Sequence, residues 1–525
     1  MTLTLRQLRI GKVDGKHEYL TPAGERDQTV FGAFVIPEAV EPERMHNADI
    51  FFVEGFRGTG KTSLLRWHAE DRRKAGCITD FVLFKTDLSE SQRMHISKEV
   101  GISWTDIDSK TMEIAQDFKS AWTWFILHKI GEKIHEFPDS YKATSKTLAV
   151  IVKKFLDLND ESILRKAIGF MPKIEGSYIK IRGDFGFFEA ELGADFKRNG
   201  EYGETTLDAL SQKITYALAK IEFNQHIYVY FDELEAFYHT TEQHKRDQRM
   251  VRDLLFSVSV LNDAFRKANA PLHILAAVRS EVIDAMGSLG QEVDRLVHDR
   301  GFDLSWHHAN RSMNHPLMQI ISRKIKASER AAGLSESTDP LAVYFPTQVN
   351  GEPIDAFILD KSFYKPRDVV WRLNIAQKLF PNASKFSDEV LRQTESEYSN
   401  KLWDEVRYEL SAIYSDSEVD SVEDVLSGGA ASFEIVQMEN TFQQKARLSL
   451  TLKNLLARRS VREILADLYR LGAIGNSFRV GSTGTDFRNR WSFRGDPTLL
   501  ADKRMVIHPA LLKRLSVVAT RRRGT

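Results

Sequence analysis

The sequence predicts an α/β fold built on a parallel sheet, and three segments carry that prediction. Residues 49–62 set a short apolar run, 50–53, before a glycine-rich turn and a stretch of helical character. Residues 226–233 form an apolar, β-rich run that closes on two carboxylates, Asp232 and Glu233. Residues 272–278 are a third buried run, followed at once by Arg279. Continuous apolar strands, without polar alternation, are what a sheet covered on both faces requires. A fourth strand is expected over residues 79–84.

The glycine-rich turn is the most specific signal. Gly55, Gly60, Lys61 and Thr62 stand in the spacing G-x-x-x-x-G-K-S/T, with Arg57, Gly58 and Thr59 inside it and Ser63 opening the helix. Successive backbone N–H groups at a helix N-terminus form an anion nest, and Gly55, Gly58 and Gly60 lack the Cβ atoms that would hold a phosphate away. Lys61 is expected to reach the β- and γ-phosphates, and the Thr62 hydroxyl to hold Mg²⁺.

The two other strands fit the same chemistry. In a parallel sheet the carboxyl end of a strand lies beside such a loop. Asp232 would position the Mg²⁺ water shell and Glu233 would polarise an attacking water, which argues for hydrolysis. Arg279 suits a contact with the γ-phosphate, since its fork binds phosphate oxygens in pairs. Its alternative is an ion pair with Glu281 or Glu233. No guanine-specific N/T-K-x-D signature occurs, so ATP is expected rather than GTP.

Composition bounds the rest. The chain has 525 residues, 42% hydrophobic and 28% charged, with a single cysteine, Cys77. These values exclude collagen-like and wholly disordered chains, and one cysteine forms no internal disulfide. No apolar run is long enough for a transmembrane helix and the start lacks a signal-peptide pattern, so a cytoplasmic protein without membrane attachment is expected. A net charge of zero hides an asymmetry: residues 441–525 hold 18 Lys and Arg against 5 Asp and Glu, a net +13. Such a basic module seeks either nucleic acid or an acidic protein surface, including the chain's own acidic stretch at 388–439.

Together with Lys365-Pro366-Arg367-Asp368, these motifs resemble bacterial P-loop ATPases of the STAND type and the origin-recognition-like AAA+ group, with KAP NTPases as near relatives. The resemblance covers about 45–85 and 225–330, the lid and, more weakly, the tail. It implies a P-loop NTPase core with an additional strand between the two motif strands, a helical lid and a C-terminal winged-helix-like domain. ATP and Mg²⁺ would sit between core and lid, with Pro366 and Arg367 on the nucleotide. An ordinary helix start with proline in its first turn is the other reading of those two residues.

The expected organisation is an N-terminal segment (1–45), a core from 46–103 and 205–335, an insertion at 104–204, a helical lid with acidic connector (336–440) and the basic domain (441–525). Within the insertion, Ile114, Phe118, Trp122, Phe125, Ile126 and Ile130 recur at helical spacing and are expected in a core. Residues 178–183 and 185–196 alternate as a β-hairpin. Arg246, Arg249 and Arg252 recur every three residues, either as a solvated helix face or as an arginine finger toward a neighbour. The run 415–424 and the glycines after it read as a mobile connection.

The tail reads as helices at 448–456 and 461–471, a two-stranded ribbon at 478–480 and 490–493, and a last helix from His508-Pro509. The expected function is an ATP-binding, ATP-hydrolysing regulatory switch, as a homo-oligomer or with a companion effector in the phage-defence or mobile-element settings that the resemblance implies. Nucleic-acid sensing by residues 441–525 is the added possibility. The alternatives are a DNA-binding initiator or loader ATPase, and a nucleotide-gated scaffold with little turnover.

Overall fold

A computed structural model describes residues 2–19, 30–38, 40–87, 118–156, 174–175, 178–182, 197–199, 202–234, 241–287, 293–307, 314–411, 413–480, 486–496 and 498–517. The chain forms two compact units. One comprises Glu38–Arg57 and Lys61–Leu304; the other comprises Met1–Pro37 and Ser305–Thr525, with Gly58–Gly60. No helix among the described residues is long and apolar enough to cross a membrane.

The first unit holds a five-stranded sheet of β1 (Phe52–Gly55), β2 (Ile78–Leu83), β3 (Ile227–Leu234), β4 (Leu272–Arg279) and β5 (Gly301–Asp303), in the order β2-β3-β4-β1-β5. Every pairing is parallel. β4 lies between β1 and β3, as expected. The four expected strands are all present, with ends shifted by one or two residues. β3 is buried along almost its whole length and β4 nearly so, which explains their unbroken apolar character.

Helices α1 (Lys61–Lys74), α2 (Lys119–Glu136), α3 (Lys146–Leu156), α4 (Leu207–Ala219) and α5 (Thr241–Lys267) belong to this unit, together with shorter helices and a second, four-stranded antiparallel sheet. The aromatic stripe is core: Phe118, Trp122, Phe125, Ile126 and Ile130 are buried in and just before α2. Ile114 lies outside the described residues. Asn262 of α5 ties the helix to β4, donating to Ile274 O at 2.8 Å and accepting from Ile274 N at 3.0 Å. The arginine row of α5 is not a solvated face. Arg246 is buried against Asp247, Arg249 is half-buried and Arg252 pairs with the buried Asp253, which also accepts the Phe118 amide. Tyr178–Arg182 pairs antiparallel with Tyr202–Thr205, whereas residues 185–196, the expected hairpin partner, lie outside the described residues.

The second unit is mainly helical, with α6 (Pro316–Ala331), α7 (Pro366–Leu379), α8 (Glu395–Leu410), α9 (Asp416–Leu426), α10 (Ile435–Ala446), α11 (Leu450–Arg458) and α12 (Val461–Arg470). Leu3, Leu5, Leu8 and Ile10 share one core with Met318 and Ile321 of α6 and Leu373 of α7. Gln377 fastens this N-terminal segment by donating to Leu5 O and Leu8 O. The expected mobile connection at 415–424 is helical instead. Ser415 caps α9 through Glu418 N, and Glu418 reaches back to Ser415 N, a reciprocal cap that the acidic composition masked.

The tail carries a four-stranded antiparallel sheet of β6 (Ser432–Phe433), β7 (Ile474–Val480), β8 (Asp486–Arg490) and β9 (Arg504–Ile507), in the order β6-β9-β7-β8. The expected strand at 478–480 is the end of β7, but the expected strand at 490–493 meets β8 only at Arg490, since Ser492–Arg494 form a 3-10 turn. The expected final helix is only a single 3-10 turn, Pro509–Leu511, because β9 occupies the residues before it and His508 caps the turn through Ala510 N.

Candidate functional site

The parallel registers bring the predicted chemistry to one edge of the sheet. Gly55 at the end of β1 stands beside Arg279 at the end of β4, and Asp232 of β3 stands beside Leu83 of β2. Arg57 lies in the turn after β1, and Lys61, Thr62 and Ser63 form the first turn of α1. Lys61 Nζ donates to Gly55 O at 2.6 Å and to Phe56 O at 2.9 Å, so the amine folds over the start of the loop.

Asp232 is fully enclosed. Burial pushes its carboxyl above the usual carboxylate range, opposed by hydrogen bonds from the Thr62 hydroxyl and the Glu233 backbone N–H, the latter 2.8 Å from Oδ1. Oδ2 is buried with no hydrogen-bond partner among the described residues. A buried carboxylate oxygen beside a threonine hydroxyl is a fitting place for a hard cation or its water. No cluster of three or more His, Cys, Asp or Glu among the described residues forms a metal cage.

Glu233 sits on an irregularity of the sheet. Phe231 pairs with Ala276 and Leu234 with Val278, so two residues of β3 oppose one of β4. The extra residue puts Glu233 in the left-handed region, at φ 57°. Such a conformation costs a non-glycine residue about 1–3 kcal/mol, and it re-aims the carboxylate out of the strand's alternation. Thr86 donates its hydroxyl to Glu233 Oε2 at 2.8 Å. Sequence reading missed Thr86; its signal is indirect, since the short helical turn after β2 lands beside the carboxyl end of β3.

In the second unit, Gly58, Thr59 and Gly60 lie with the start of α7. The Arg367 N–H donates to Gly58 O at 3.4 Å, and its guanidinium reaches Val13 O (3.4 Å) and Glu405 Oε2 (3.1 Å). Gly58 has φ 84°, and a Cβ there would lie 3.1 Å from Arg367 Cβ. Both backbone conformation and close approach therefore require glycine. Pro366 occupies the first turn of α7, 3.9 Å from where a Cβ on Gly60 would sit. The Trp306 indole donates to Thr59 O at 2.8 Å, fixing the middle of the segment. Arg279 is buried.

Several cations of the basic tail pair with acids. Arg458 pairs with Glu418 (2.8 Å), Arg462 with Glu439 (3.3 Å) and Arg514 with Glu423 (2.6 Å), all three partners lying in the acidic stretch. Arg459, Arg490 and Arg494 pair with Asp467, Asp496 and Asp360. Arg447, Lys453 and Arg488 are exposed with no ion pair among the described residues.

Residues 315–407, under a fifth of the chain, match the family described as the FunZ-associated C-terminal helical domain. The matched span runs from α6 to most of α8 and includes Pro366 and Arg367. Comparison with curated proteins returns no match.

Proposed function

We propose that this protein is a P-loop ATPase that works as a conformational switch on a partner. The observation that carries the reading is the meeting of a glycine-rich turn, the Thr62 hydroxyl and the orphaned Oδ2 of Asp232 at the carboxyl edge of a parallel sheet. Gly55, Arg57, Gly58, Thr59, Gly60, Lys61, Thr62 and Ser63 would cradle the phosphates, with Arg279 on the γ-phosphate. Thr62 and Asp232 would hold Mg²⁺ or its water shell, which neutralises developing charge on the phosphate oxygens. Glu233 would take the proton of the attacking water, once its carboxylate is released from Thr86. Lys61 would exchange its two loop carbonyls for phosphate oxygens, a stronger charge-assisted contact.

The tail's ion pairs favour a protein partner over nucleic acid as the thing controlled. Its winged-helix-like arrangement, three helices before an antiparallel sheet, fits either. Arg458, Arg459, Arg490 and Arg494, four of the arginines on which DNA binding would draw, are engaged with the chain's own carboxylates, whereas Arg488 is exposed. The FunZ-associated description of the family matched by 315–407 is compatible with a chain that acts alongside a companion. Calorimetric titration with ATP tests the reading. Wild-type protein binds ATP only with Mg²⁺ at full affinity, Asp232→Ala loses the Mg²⁺ dependence, and Lys61→Ala binds at least about tenfold more weakly. Equal binding by wild type and Lys61→Ala would refute it.

A further inference from the structure

The opposite edge of the same sheet carries a second feature. A cleft of about 570 Å³ opens at the amino ends of β3 and β4, within the size range of small-molecule sites. His226 and His273 line it, one just before β3 and the other in β4. Their rings are nearly coplanar, with an interplanar angle of 13°, and His226 Nδ1 lies 2.9 Å from His273 Nε2. The two imidazoles thus share one proton and form a single flat surface about as wide as a fused bicyclic base.

This surface is held from behind. Tyr228, paired with His273 across the strands, stacks on it at 4.5 Å, and its hydroxyl donates to His46 O at 2.8 Å. Burial lowers the basicity of both imidazoles, that of His273 to about 3, so the platform is neutral at pH 7. Cations stand around it: Lys142, Lys220 and Arg266 line the same cleft. Lys142 is oriented by Glu222 at 2.8 Å, Arg266 by Asp49, and Lys220 lies over the Tyr216 ring at 4.1 Å. Exposed pairs of this kind exchange readily for a phosphate.

We infer that this cleft is a second ligand site, distinct from the glycine-rich loop, for a nucleoside monophosphate whose base stacks on the His226–His273 platform and whose phosphate meets Lys142, Lys220 and Arg266. A flat neutral π surface accepts any base, and the lysines and arginine supply the charge that a phosphate needs. Six residue steps of β4, at about 3.3 Å each, separate His273 from Arg279 by roughly 20 Å, so the two sites are independent in space.

The test uses the full chain carrying Lys61→Ala, so that binding at the glycine-rich loop is suppressed and the two readings fail separately. Titration with AMP should show one saturable site. His226→Ala and Lys220→Glu, both at exposed positions, should each weaken it at least tenfold while circular dichroism stays unchanged. Inorganic phosphate should compete at least tenfold less well than AMP. No saturable AMP binding below about 1 mM, AMP binding indifferent to both substitutions, or phosphate competing as well as AMP would each overturn the assignment.

Discussion

At the scale of single residues, the proposed chemistry rests on Asp232, Glu233 and Thr86. Asp232→Asn keeps the shape but removes the charge, and should cut ATP turnover by at least about a hundredfold in a phosphate-release assay. Thr86→Val should raise basal turnover several-fold, because losing the hydroxyl frees the Glu233 carboxylate to turn toward the attacking water. An unchanged or lower rate in that variant would mean that Thr86 positions Glu233 productively. Asp368 offers a test by pH. Buried, with its Oδ2 accepting the Phe363 amide, it is pushed up to about 6. Its fold therefore prefers the protonated acid, and this residue alone makes stability fall as pH rises from about 4 to 6, by roughly 2–3 kcal/mol. Asp368→Asn should remove that component, read as the difference in denaturation midpoint from wild type across the same range.

At the scale of elements, sequence reading succeeds where a pattern is local and strong. The glycine spacing, the β3 run with its terminal carboxylates and the proline that opens α7 all stand in consecutive residues. It fails where tertiary pairing decides. β6 and β9 are only two and four residues long and exist because they complete a sheet around β7. The run at 415–424 resembles a linker by composition, yet a reciprocal cap and four buried apolar residues, Val419, Val422, Val425 and Leu426, make it a helix. Thr86 is illegible because its partner is 147 residues away. Ser460 supplies the corresponding cap of α12, accepting from Glu463 N at 3.3 Å while Glu463 returns to Ser460 N at 2.7 Å. Ser460→Ala should destabilise that helix by about 1 kcal/mol, seen as faster amide exchange over 461–465.

At the scale of the whole chain, charge and buried histidine govern behaviour. The +13 of the tail is balanced in composition by the rest of the chain, and Arg458, Arg462 and Arg514 of the tail pair with the acidic stretch. His68 and His508 are enclosed and His273 is half-buried, and burial is the first cause that lowers each to about 3. An unfolded chain would protonate them near 6.5, so their contribution to stability is complete above that pH and is lost as pH falls from 6.5 toward 3. Three such groups outweigh the opposing slope of Asp368, and urea denaturation should show a lower midpoint at pH 5 than at pH 7.

The central claim is that the glycine-rich turn and the carboxylates facing it hydrolyse ATP. Steady-state phosphate release by the full chain, with Mg²⁺, with and without duplex DNA, and with Lys61→Ala as the reference, tests it most directly. Slow release that Lys61→Ala abolishes and that DNA leaves unchanged is the expected result. Release that persists undiminished in Lys61→Ala, or none above that reference under any condition, would contradict it.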